Sequence, residues 1–264
     1  GATINRNEQF SGESHVDTSS RAPLTAAGDP NISGDWAGEE GVLTVPPSGG
    51  RGAIVPKHLR AAFASGKITL KQIRAQYPRS ASPVYTQAGM DFAKAFKRRS
   101  VADNPRFQCK VTSIIFDWTF DWPINRIEQH MTTDGKKVID LTYGSYSAKR
   151  RIWMGMDHPA NLKPSRSGNS IGHWEGNTLV VDTVGFDAGL LVAPTPNSDK
   201  LHVVEHFTLD TSTPGWTLTH TWTATDPVYL AEPYKGSDIS HLSTVPYQYF
   251  PCADLTYKKG GVIQ

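Results

Sequence analysis

The chain has 264 residues, 38% of them hydrophobic and 20% charged, with a formal net charge of +2. That composition excludes a disordered chain and leaves enough length for a substantial core. No apolar run approaches the roughly 20 residues of a membrane-spanning helix. The slight basic surplus gives no reason to expect nucleic acid, whose binders gather a larger excess on one surface.

Residues 1–31 are rich in Ser, Thr, Asn, Gly and Asp and have no apolar period, so they read as an extended or flexible arm. Gly1-Ala2 reads as a scar or a mature terminus. "NISGDWAG" (Asn31–Gly38) then opens a single domain, 32–264, with Trp36 as its anchor. "VPPSGGRG" (Val45–Gly52) is a loop.

Helical spacing follows within 56–99. Leu59, Ala62 and Phe63 share a face in Pro56–Lys67, as do Leu70, Ile73 and Tyr77 in Ile68–Tyr77. Thr86 is placed to cap a helix whose Met90, Ala93 and Phe96 face one way. The basic run Lys94–Arg99 reads as a solvated helix face. These helices are expected to cover a face or an end of a sheet.

From residue 111 the period becomes two. "TSIIFDWTFDWP" is bulky and β-prone, and "RIEQHM" turns through Asp134-Gly135 into "VIDLTY". "RRIWM" precedes the loop "DHPANLKPSRSGNS". "GHWEGNTLVVDTVGF" reads as a hairpin turning at Glu175-Gly176-Asn177. "LHVVEHFTLD" and "WTLTHTWTATD" form another antiparallel pair around Thr213-Pro214-Gly215, and a last strand is expected near Tyr247–Phe250. The pattern predicts a mainly β protein, an antiparallel meander that closes or nearly closes into a barrel.

Alternation sorts side chains between the two faces. Trp216, Leu218, His220, Trp222 and Ala224 share one face, and four threonines share the other, which should be wet. His220 therefore sits among apolar neighbours, as a core histidine or as an acid/base group. Leu201, Val203, Glu205, Phe207 and Leu209 also share a face. Glu205 then needs a partner, an arginine such as Arg150 or Arg151, or takes a catalytic role with a raised pKa. His202 and His206 fall on the opposite, exposed side. Asp182 lies in a strand apolar on both faces, as a second inward carboxylate or as an acceptor for backbone N–H groups after Gly185. His158, held extended by Pro159, sits in a loop.

Other chemistries leave no signature. Neither GxSxG, SxxK, HExxH nor a Gly-rich phosphate loop occurs, so no cofactor and no metal are expected. Cys109 and Cys252 allow one long-range disulfide or two separate buried thiols.

From Asn31 onward the chain resembles a family of exported bacterial proteins. The resemblance rests on the "WEGNTLVVDTVGF" phrase, where relatives usually have Asp for Asn177, together with "DPNISGDW", "YTQAGMDFAKAF", "NPRFQ" before Cys109, "RRIW", His158-Pro159, "VVEHF" and Asp226-Pro227. Many relatives have Gly-Arg where this chain has Met156-Asp157, and His where it has Asn197. The resemblance implies a calycin-like (lipocalin-like) barrel and a periplasmic or secreted setting, which favours the disulfide.

These readings lead to a cofactor-free lyase or isomerase acting on a hydrophobic, aromatic small molecule such as a lignin-derived phenylpropanoid. His220, Glu205, Asp182, Arg151, Tyr143 and His158 would carry acid/base chemistry. Trp153, Trp174, Phe186, Trp222 and Phe207 would line the substrate pocket. The alternative is a non-catalytic binding protein for such a molecule; the sequence leaves the oligomeric state open, a homodimer being one possible assembly. An enzyme needs an inward carboxylate or histidine free of a fixed salt bridge. A Glu205 locked to arginine beside a His220 that touches only core favours binding.

Overall fold

The computed structural model describes residues 15–38, 41–44, 53–56, 59–76, 82–119, 124–145 and 148–248. Nine strands form a closed barrel: β1 (Gly34–Gly38), β4 (Ile124–Met131), β5 (Lys137–Thr142), β6 (Lys149–Met154), β7 (Asn169–Glu175), β8 (Thr178–Val184), β11 (His202–Asp210), β12 (Thr217–Thr225) and β13 (Tyr234–Leu242). Their order around the barrel is β1, β13, β12, β11, β8, β7, β6, β5, β4, with β4 pairing back onto β1. Two hairpins stand outside it: β2 (Gly41–Thr44) with β3 (Ala53–Pro56), and β9 (Gly189–Val192) with β10 (Thr195–Asn197). The chain is thus mainly β with its helices mostly in the amino-terminal part, as the periodicity predicts.

Alternation builds the core. Val203, Glu205, Phe207 and Leu209 point inward from β11, and Leu218, His220, Trp222 and Ala224 from β12. They share one core cluster with Leu179 and Val181 from the adjoining β8 and with Ile127, Ile139, Leu141 and Ile152 from β4, β5 and β6. The β7–β8 hairpin turns at Gly176-Asn177, where Gly176 has a positive φ of 58° that costs glycine little.

Four expectations are corrected. First, residues 112–119 of "TSIIFDWTFDWP" are not a strand, and residues 120–123 lie outside the described residues. Ser113 Oγ accepts from the Ile115 and Phe116 N–H groups and starts a short helix, Phe116–Thr119. That cap inserts Trp118 into the core, edge-on to Tyr143 and Phe207 at 5.2 and 5.6 Å, so local β-propensity gives way to tertiary packing. Second, the meander is broken once. β6 and β7 run parallel, joined by residues 155–168 crossing the outside of the barrel without a helix. Third, the last barrel strand is β13, at Tyr234–Leu242; Tyr247 and Gln248 are not in a strand, and residues 249–250 lie outside the described residues. Fourth, residues 15–31 run along the barrel. The Arg21 guanidinium lies 4.9 Å over the Trp216 ring and donates to Ser33 O, and Gln129 Nε2 donates to Pro30 O at 3.0 Å. Residues 1–14 lie outside the described residues.

The helix Gln87–Ala95 begins at Thr86, whose Oγ1 accepts from Gly89 N. Its buried residue is Gly89; Met90, expected on the covered face, is exposed. A Cβ at Gly89 would stand 2.2 Å from the Tyr229 carbonyl oxygen and 3.0 Å from Tyr85 Cδ1. Gly89→Ala gains about 1 kcal/mol of helix propensity, but overpacking costs about 1–3 kcal/mol. A lower melting temperature is therefore expected, and a rise in thermal denaturation would refute the close approach. The helices Arg60–Ala64 and Leu70–Gln76 adjoin β3. Among the described residues no helix is long and apolar enough to cross a membrane. Cys109 is disulfide-bonded, and Cys252 lies outside the described residues.

Candidate functional site

Five of the six residues expected to carry the chemistry fall into two clusters on opposite faces of the sheet, Glu205, His220 and Tyr143 inside and Asp182 and His158 outside. Inside the barrel lies a chain of four charges. Arg150, from β6, grips Glu205 with a fork: Nη1 to Oε1 at 3.2 Å and Nη2 to Oε2 at 2.5 Å. Its remaining N–H groups donate to Ser170 Oγ, Thr183 Oγ1 and Tyr143 OH at 2.9, 2.8 and 3.3 Å. His220 Nε2 lies 2.9 Å from Glu205 Oε1, and its Nδ1 lies 2.7 Å from Asp238 Oδ2. Phe207 stacks on the imidazole at 4.4 Å. Two cations face two carboxylates, so the network is neutral as a unit.

Its electrostatics follow from that pairing. Burial penalises a charged Glu205, but Arg150 and His220 outweigh it and hold the carboxyl well below the usual range. Burial likewise opposes a charged His220, yet Asp238 and Glu205 push it up to about 9. Burial raises Tyr143, whose hydroxyl donates to Ile114 O at 2.9 Å. An imidazole that keeps its proton beyond neutral pH and a carboxylate clamped by a guanidinium are poor proton acceptors. The expected interior acid/base pair is therefore a salt-bridge network. His220 nonetheless touches two carboxylates and not core alone.

The outer face carries the second cluster. Asp182 is not inward: Leu179, Val181 and Thr183 point into the barrel, which turns Asp182 out between the paired residues Ile171 and Val204. His158, from the 155–168 crossover, places Nε2 2.8 Å from Asp182 Oδ1 and Nδ1 2.6 Å from Asn169 Oδ1. His202, at the start of β11, places Nε2 2.7 Å from Asp182 Oδ2. One carboxylate thus joins two imidazoles, and the side chains are 39% (Asp182), 22% (His158) and 43% (His202) exposed. Burial works to raise Asp182, but the bonds from His158 and His202 keep it below its ordinary value.

A carboxylate can only accept, so His202 Nε2–H donates to it. That leaves Nδ1, which has no hydrogen-bond partner among the described residues, as the uncommitted nitrogen of a side chain that is 43% exposed. Both His158 nitrogens are engaged, which makes it the residue that holds Asp182 in place. Among the described residues no three His, Cys, Asp or Glu side chains are arranged to hold a metal ion.

The other expected residues lie apart. Arg151 points outward, chelates Asp140 at 2.8 and 2.9 Å, and lies 5.4 Å over Trp153. Arg151 and Trp153 therefore leave the expected pocket, because inward positions on β6 go to Arg150 and Ile152. Phe186, Phe207 and Trp222 are packed in the core, with Trp222 edge-on to Tyr234 at 4.8 Å. Trp174 is partly buried at one mouth of the barrel, beside a cleft of about 250 Å³. Sequence reasoning missed His202, Asn169 and Asp238 as site residues. The one signal for His202 was its outward phase, shared with Asp182 across the β8–β11 pair.

Fold and site define a closed nine-stranded β-barrel with a neutralised ion network inside and an accessible His–Asp–His cluster outside. Comparison with protein-family models, curated proteins and solved structures gave no match.

Proposed function

We propose that the chain is an acid/base enzyme of the lyase or isomerase type, needing no cofactor, with His202 as the base that removes a proton from a small, largely apolar substrate. The observation that supports this is the uncommitted His202 Nδ1, opposite a ring nitrogen already committed to Asp182. When His202 takes a proton, the Asp182 carboxylate stabilises the imidazolium, while His158 and Asn169 keep Asp182 oriented. Ile171 and Val204 beside Asp182 suit an apolar, aromatic substrate. A periplasmic or secreted setting belongs to the same proposal and agrees with the disulfide at Cys109. So does the calycin-like assignment.

The test incubates the protein with a panel of aromatic dimers and terpenoids and follows products by mass spectrometry. His202→Gln should lower kcat about 10²–10⁴-fold, the usual share of a general base. His206→Gln, on the same outward face of β11 but not hydrogen-bonded to Asp182, should leave turnover unchanged. Full activity in H202Q, or no turnover of any panel member by the native protein, would sink the proposal. Retention of a compound without turnover would support the second reading, a binding protein. That reading is favoured by the complete engagement of Glu205.

A further inference from the structure

The cleft at the barrel mouth stands apart from the His–Asp–His cluster. β4, β5, β6 and β7 end there, and their inward positions form its wall: Gln129, Ile139, Met154 and Trp174, with Met131 and Lys137 at the rim. Residues Thr25–Asp29 cover it as a tight turn, closed by Thr25 N donating to Asp29 O at 2.8 Å and Gly28 N to Thr25 O at 2.9 Å. Gly172 on β7 contributes no side chain; a Cβ there would meet Ile152 Cγ2 at 2.8 Å and Met154 Sδ at 3.0 Å.

Size and chemistry narrow the occupant. An apolar cavity of about 150 Å³ takes a benzene ring, so about 250 Å³ holds a ring with a short chain. Two thioethers and an indole give a polarizable lining that adapts to a flat ring. The polar groups differ in what they have left to offer. Gln129 is spent, its Oε1 accepting from Ile32 N, Ser33 N and Ser33 Oγ and its Nε2 donating to Pro30 O. Lys137 is different: its ammonium has an exposed ion pair with Asp29 of the covering turn, at 2.9 Å. A ligand carboxylate can take the place of Asp29. The remaining charged groups nearby are paired with one another: His130, which also lines the cleft, with Asp140, Asp140 with Arg151, and Asp134 with Lys136.

The geometry points to a binding site here for a small aryl-alkyl carboxylate, its ring against Met154 and Trp174 and its anionic end on Lys137. The site does not depend on the chemistry assigned to His202.

The probes are cinnamate and, as its uncharged counterpart, cinnamyl alcohol, titrated by calorimetry against the full chain. Cinnamate should bind saturably, more weakly as salt screens the ion pair. Lys137→Gln should weaken cinnamate about fivefold, the upper end for an exposed pair, and leave cinnamyl alcohol unchanged. Lys137 is a rim residue, so this variant does not tax the core. In a ¹³C-methyl-methionine spectrum, cinnamate should shift the Met131 and Met154 signals and spare Met90, which lies on the helix Gln87–Ala95. H202Q should bind cinnamate as the native protein does, so this site and the proposed enzyme stand or fall separately. No saturable binding at millimolar cinnamate overturns the inference. So does equal weakening of both probes in K137Q, or binding that leaves Met131 and Met154 unmoved.

Discussion

Arg150→Met is expected to destabilise the fold by about 3–5 kcal/mol, the cost of removing one partner from a buried ion pair. Arg150 is the only guanidinium hydrogen-bonded to Glu205 among the described residues, and both side chains are essentially inaccessible. Its loss leaves two carboxylates, Glu205 and Asp238, sharing one imidazolium, so a net negative charge remains in the core. At about 2–4 °C per kcal/mol for a chain of this size, the melting temperature should fall by roughly 6–20 °C. The double variant R150M/E205L should recover part of that loss, because an apolar replacement of both partners removes the orphaned charge. If R150M is too unstable to purify, Arg150→Lys supplies the measurement. It keeps the charge but loses the fork to Ser170, Thr183 and Glu205 and should fall between the two. Equilibrium unfolding in guanidinium decides it. An R150M protein within about 1 kcal/mol of the native one would mean that water reaches the network, which a closed and packed barrel does not allow.

How much of this was legible in the sequence depends on how strongly each strand is phased. β12 alternates bulky residues with threonine, so its two faces are unmistakable, and His220 fell inside as expected. β11 behaves likewise for Glu205, and the choice of Arg150 over Arg151 follows once β6 is given its phase by Ile152. β8 gave no phase: its outer Val180 and Val184 are as apolar as its inner Leu179 and Val181, so Asp182 could be assigned to either side. β13 escaped notice because "YKGSDISHL" carries its apolar residues mainly at the ends, and Asp238 gains meaning only from its pairing opposite His220. The His–Asp–His cluster was out of reach for a related reason. It is assembled by the parallel joint between β6 and β7, whose connection carries no helix to announce a crossover.

The pH dependence of stability should show an alkaline limb that belongs to His220. In the unfolded chain an imidazole titrates near 6.5; in the folded protein Asp238 and Glu205 raise His220 to about 9. A raised folded value means the stabilisation is fully present below about 6.5 and is lost as pH climbs through the window to about 9. The loss is on the order of 3 kcal/mol, since each tenfold gain in proton affinity on folding is worth about 1.4 kcal/mol. Glu205 and Asp182 act in the opposite direction. Both are held below their ordinary values, so their contributions are present at neutral pH and are lost only as the solution turns acid. Asp117 is pushed up to about 6, because burial outweighs the bond from Thr112 N and the charge of Arg106. Its contribution therefore fades as pH rises from below 4 toward 6, before the His220 window opens. Guanidinium unfolding at pH 6.5 and 9.5 on the native chain and on His220→Gln separates these effects. The native protein should lose stability between the two, and the variant, with no proton to lose at that position, should show a flat profile. The same slope in both would assign the limb to another group. The consequence for function is direct, because an imidazole that holds its proton to pH 9 cannot accept one at neutral pH. On the proposed assignment, proton abstraction falls instead to His202 on the outer wall, whose Nε2 is bound to Asp182.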